Sequence, residues 1–137
     1  MACPALILGL AGCETIAPVA PPSSTVTRGS AMKVASTIVE GGPNRISGKG
    51  HGASMAPLYG ENTRLVIAPV DFEKLEKGMI VAYRNSQGHK VVHKLAFKQG
   101  KSWVAFGLNN GALDRERVTS DNLLGVVYAV INSAPSG

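Results

Sequence analysis

Beyond Arg28 the apolar residues of this chain come in short runs, each closed off by Gly, Asn or Ser, and that rhythm dictates strands joined by tight turns. The expected strands are 32–39, 64–70, 79–84, 90–97, 102–106 and 123–131. Asn85-Ser86-Gln87-Gly88 is the turn between the third and the fourth, and 71–77 forms at most a short helical turn. No long amphipathic helix and no internal repeat interrupts the pattern, so the chain predicts an all-β or β-dominated domain. A helix-turn-helix has no room in it, which argues against a nucleic-acid partner.

The length of 137 residues suits one domain rather than two. Glycine (16) and proline (8) are plentiful while aromatics make up 5%, as expected of a turn-rich β structure with a modest core. The formal charge is +5, and all 14 Lys and Arg residues lie at or after Arg28. They are scattered among apolar residues, which describes a solvated surface; attraction to anionic lipid adds to this if the chain is tethered at a membrane.

Residues 1–13 are apolar and uncharged but shorter than the roughly 20 residues that span a bilayer. They read as an export signal. The end of this segment, Leu10-Ala11-Gly12-Cys13, looks like the lipobox of bacterial lipoproteins, which implies cleavage before Cys13 and lipid attachment to its thiol. An export signal ordinarily opens with a basic residue and none precedes Arg28, so an incidental apolar N-terminus stands as the alternative. Residues 14–30, rich in Pro, Ser and Thr, are the expected tether, 31–132 the folded domain and 133–137 a flexible tail. Both cysteines, Cys3 and Cys13, precede the domain, which excludes a core disulfide and a cysteine metal cluster.

Within the domain, Gly48-Lys49-Gly50-His51-Gly52-Ala53 leads into Ser54 with small residues that permit close backbone approach. A serine hydroxyl becomes a nucleophile only beside a base. Taken by itself, Ser54 is as well explained as an ordinary turn serine. Of the three histidines, His93 lies in an expected strand, whereas His51 and His89 lie in glycine-rich or turn contexts that suit solvated side chains. No two of them have metal-ligand spacing with a carboxylate, so no metal site and no cofactor is expected.

Five elements occur in one order: Ser54-Met55-x-Pro57, Lys77-Gly78-Met79-Ile80-Val81-Ala82-Tyr83, Val91-Val92-His93-Lys94-Leu95, Gly107-Leu108-Asn109-Asn110 and Leu124-Gly125-Val126-Val127. Together they resemble the signal peptidase I superfamily, to which LexA-like peptidases also belong, and the resemblance runs from about Gly50 to Ile131. It implies a small β-barrel-type catalytic domain and a serine endopeptidase that cleaves exported precursors with small residues before the scissile bond. Ser54 corresponds to the nucleophile, its backbone N–H to an oxyanion donor, and Met55 and Pro57 to residues beside the substrate. The base position is held by His93, as in the histidine-type members of archaea and the endoplasmic reticulum. Alternation along a strand sends His93 and Lys94 to opposite faces, so only one can meet Ser54.

After His93 the side-chain carboxylates are Asp114, Glu116 and Asp121. The resemblance, counted from Asn109-Asn110, assigns the third triad role to Asp114; a surface turn aspartate paired with Arg115 or Arg117 is the plain alternative. Leu108 stands where the family usually has aspartate, Met79 where an acidic residue often follows Lys-Gly, and Gly52 where some bacterial members supply a serine hydroxyl. A catalytically silent lipoprotein binding or assembly module of the same fold is therefore a second expectation. A LexA-like self-cleaving regulator ranks below both, because no DNA-binding domain accompanies it. The expected partners are a protein or peptide substrate and, through a lipid on Cys13, the extracytoplasmic face of a membrane.

Overall fold

The computed structural model describes residues 19–135, so the expected export signal and its Cys13 lie outside the described residues. The first element is a helix, α1 (Arg28–Glu40), where a strand over 32–39 was expected. Thr27 caps it by accepting the Ser30 N–H at 3.1 Å, and the Gly41 N–H closes its far end on the Thr37 and Ile38 carbonyls. The β-branched residues Val34, Thr37, Ile38 and Val39 favour a strand. Tertiary packing overrides that preference: Ala31 and Ala35, one turn apart, are buried and let α1 settle against the sheet, while Met32 and Val34 remain exposed.

Among the described residues seven strands follow: β1 (Ile46–Lys49), β2 (Thr63–Ala68), β3 (Ile80–Arg84), β4 (Lys90–Gln99), β5 (Ser102–Phe106), β6 (Leu113–Val118) and β7 (Leu123–Asn132). A single 3-10 turn, Phe72–Lys74, occupies the segment expected to be a short helical turn. The strands form one antiparallel sheet in the order β1-β2-β7-β3-β4-β5-β6. The domain is β-dominated, as predicted, but its sheet is open rather than closed into a barrel, with β1 and β6 at its edges. Neither edge strand was expected. Their sequences, Ile-Ser-Gly-Lys and Leu-Asp-Arg-Glu-Arg-Val, carry few apolar residues because only one side of each pairs.

The folded unit also reaches beyond the expected limits of 31–132. Ser24 donates its N–H to Ser133 and its hydroxyl to the Asn132 carbonyl, and the Ala134 N–H bonds to Val26. Among the described residues no helix is long and apolar enough to cross a membrane.

β3 runs through the middle of the sheet with buried side chains on both faces. Val81 and Tyr83 join Leu75, Leu95 and Trp103 in one cluster, and Ala82 joins Met55, Tyr59, Leu65 and Ile67 in the other. Full burial of a side chain such as Leu95 contributes about 1.5–3 kcal/mol. The two clusters fix the β3–β4 register, in which Val81 faces His93 and Tyr83 faces Val91.

Candidate active site

The chain leaves β1 at Gly50, whose N–H bonds to the Thr63 carbonyl, and passes Gly52 at a φ of +70°, a conformation that favours glycine. The Gly52 N–H is held at 2.7 Å by a Glu61 oxygen, and Glu61 also pairs with Lys49 at 3.5 Å. These contacts, the Gly52 hydrogen bond foremost, keep the Glu61 carboxyl below its usual range. Ser54 comes next, in a turn closed by Ala56 N–H to Ala53 carbonyl at 3.1 Å.

A second loop grips this turn. The Asn109 N–H donates to the Ser54 carbonyl at 2.8 Å, and its side-chain amide donates to the Ala53 carbonyl at 3.2 Å. Gly107 permits the approach, since a Cβ there would lie 2.9 Å from the Ser54 carbonyl oxygen. Leu108, where the resemblance would place aspartate, instead packs beside Met55 and Tyr59.

β4 delivers His93, only 8% exposed, with Nε2 at 3.1 Å from Ser54 Oγ. Its Nδ1 lies 2.6 Å from Oδ2 of Asp114, which sits on edge strand β6. An ionised carboxylate only accepts, so Nδ1 donates to it and the neutral ring presents Nε2 as the acceptor for the Ser54 hydroxyl. Ser54, His93 and Asp114, separated by 39 and 21 residues in sequence, thus form one hydrogen-bonded chain. The alternatives on each side recede in this geometry: Asp114 makes no ion pair with Arg115 or Arg117, and Lys94 lies on the opposite face of β4, over Gly78.

Tyr83 completes the arrangement. Its hydroxyl donates to the same Asp114 oxygen at 2.9 Å. Burial, followed by this hydrogen bond and the nearby charges of Asp114 and Glu116, pushes the phenol well above its ordinary range, so Tyr83 remains a donor. Sequence reasoning assigned no role to Tyr83, Asn109 or Glu61. The available signal for Tyr83 was its place two residues after Val81 on an apolar strand, where a buried hydroxyl needs a polar partner.

In front of Ser54 opens a groove of about 730 Å³. Its apolar lining includes Met55, Leu65, Ile67, Ala82 and Val92, and the free edge strand β1 runs along it. Of the two residues expected beside a substrate, Met55 lines the groove, whereas Pro57, after a cis peptide bond, is exposed and outside the lining. Among the described residues the Ser54 N–H has no acceptor within the chain, which leaves it able to donate to an oxyanion. His51 and His89 also border the groove, and among the described residues no three His, Cys, Asp or Glu side chains gather around a metal-sized position.

No family model, curated protein or solved structure matches the chain.

Proposed function

We propose that this protein is a serine endopeptidase of the histidine type within the signal peptidase I superfamily, acting on extended segments of exported precursors while tethered to a membrane through Cys13. The observation that carries the reading is the Ser54–His93–Asp114 chain, with links of 3.1 and 2.6 Å. In the reaction His93 Nε2 takes the Ser54 proton as Oγ attacks the scissile carbonyl. The developing oxyanion receives the Ser54 N–H, and the protonated His93 returns the proton to the leaving amine. Water then hydrolyses the acyl-enzyme with His93 as base. Asp114 keeps Nδ1 protonated throughout and stabilises the imidazolium.

An extended peptide is the substrate shape that suits this groove. β1 offers unpaired backbone groups along it, so a peptide can add as a strand with alternate side chains directed at the apolar lining. Small residues before the scissile bond are what the resemblance implies.

The test is cleavage of a panel of extended peptides with small residues at the scissile position, read by mass spectrometry with wild-type and Ser54→Ala protein. Wild-type protein is expected to cleave and Ser54→Ala to lose at least about 10³-fold in rate. Equal rates for both proteins would falsify the reading. Leu108 favours one second reading, a binding module of the same fold, because it places an apolar contact where the family has a carboxylate. That reading predicts no acyl adduct on the Ser54 peptide with any activated ester or fluorophosphonate.

A further inference from the structure

The groove lining changes character along the β3–β4 hairpin toward its turn. On the β3–β4 hairpin Ala82 pairs with Val92 and, two residues on, Arg84 pairs with Lys90. Alternation therefore places both cations on the face that carries Ala82 and Val92 into the groove lining. Like charges directly opposite one another are destabilising. Arg84 donates to the Gly88 carbonyl at 2.7 Å, which holds its guanidinium at the turn and leaves further donors available. The Lys90 ammonium makes no hydrogen bond or ion pair among the described residues, and no carboxylate lines the groove.

The carboxylates near this region are engaged elsewhere. Glu116 reaches the hairpin turn, but both its oxygens accept from Ser86. Glu61 pairs with Lys49 on the opposite wall. The pair of cations, both exposed, consequently has no partner of opposite charge within the described chain.

We infer that Arg84 and Lys90 form a specificity subsite for an acidic side chain of an extended peptide. This rests on the proposed peptide-cleaving groove and names the substrate class for it. Lys90 lies three residues from His93, about 10 Å along β4 and on the other face of the strand, and both side chains border the groove. The substrate is a peptide with small or apolar side chains over Ala82 and Val92 and an Asp or Glu three to four residues from the scissile bond.

The experiment measures binding of fluorescent peptides to full-length Ser54→Ala protein by anisotropy. The peptides share one small-residue core and carry a single Asp, Ala or Lys three, four or five residues to either side of the central bond. The Asp peptides are expected to bind about tenfold tighter than the Lys peptides at three or four residues on one side, and the difference should shrink in about 0.5 M salt. Arg84→Glu with Lys90→Glu should invert the order. Lys90→Glu alone should flatten it, and it keeps the test decisive if loss of the Arg84 anchor unfolds the hairpin.

Equal binding of Asp and Lys peptides overturns the inference. So does a Lys90→Glu variant that keeps the preference and loses only association with phosphatidylserine vesicles, which would assign these cations to a membrane. Cleavage by wild-type protein is scored separately. Asp preference in a protein that cleaves none of the peptides supports acidic-peptide recognition while removing the peptidase reading.

Discussion

The Tyr83 hydroxyl and the His93 Nδ1 meet on a single oxygen of Asp114, at 2.9 and 2.6 Å. Two donors converging on one atom fix the carboxylate plane, and the carboxylate in turn fixes the ring that faces Ser54. β3 supplies one donor and its neighbour β4 the other, so the sheet register itself sets the orientation.

Tyr83→Phe is predicted to act as the loss of a positioning residue. Removing one hydrogen bond to a charged group costs about 1.5–3 kcal/mol at most, so kcat should fall by roughly one to two orders of magnitude with KM little changed. A merely structural role for Tyr83 would show instead as a lower melting temperature with kcat retained.

The same residue makes a prediction for alkaline stability. The folded phenol titrates above its ordinary value of 10.0, so its contribution is fully present below that pH and is lost as pH rises beyond it. The stability difference between wild type and Tyr83→Phe should stay constant through neutral pH and narrow only above about 10. Urea unfolding at a series of pH values checks this, and narrowing already at pH 8 would contradict it.

Glu61 behaves with the opposite sign. Its folded carboxyl is held below the ordinary value of 4.5, chiefly by the Gly52 N–H, so its contribution is present above that pH and disappears as pH falls through the lower folded value. Glu61→Gln should be slightly less stable than wild type at neutral pH, and the two melting curves should converge in acid. The effect is small because the group is exposed.

Asp114→Asn separates geometry from charge. The amide can keep the ring in place, but it can donate to Nδ1 and so select the tautomer that presents an N–H to Ser54. Turnover is expected to fall about 10⁴-fold with the melting temperature nearly unchanged. A loss below tenfold would remove Asp114 from the proposed mechanism.

Most of the sheet was legible because its central strands announce themselves: β3, β4, β5 and β7 are apolar runs bounded by turn residues. β1 and β6 were not, because an edge strand needs no apolar pattern when only its backbone pairs on one side. Residues 32–39 misled for the opposite reason. Their β-branched content argues for a strand, and the decisive feature was the small pair Ala31 and Ala35 that only docking on β2 and β7 can reward. Ser54, His93 and Asp114 could be named from motif order, and the structure places them within hydrogen-bond reach. Tyr83 and Asn109 could not, since their roles depend on which strand neighbours β3 and which loop meets Ser54.

Gly107 offers the sharpest test of how tightly the nucleophile is held. An added Cβ would sit 2.6 Å from the Asn110 amide and 2.9 Å from the Ser54 carbonyl oxygen. Asn110 is an exposed side chain and can swing away, but the Ser54 carbonyl is backbone, fixed by the Asn109 N–H at 2.8 Å. In Gly107→Ala the two loops must therefore separate by a few tenths of an ångström, and Ser54 moves relative to His93. Misplacement of a reacting group by about 1 Å can cost 10²-fold, so a fall in kcat of about tenfold is expected. The cluster around Val81 and Leu95 is untouched, so cooperative unfolding should persist, but separating the loops loosens Leu108 from Met55 in the second cluster and should lower the melting temperature as well. Gly29→Ala provides the contrast: a Cβ there meets nothing within 4 Å, and replacing a helical glycine should stabilise α1 by about 0.5–1 kcal/mol without altering turnover. If Gly107→Ala retains wild-type kcat, the Asn109 loop does not position Ser54.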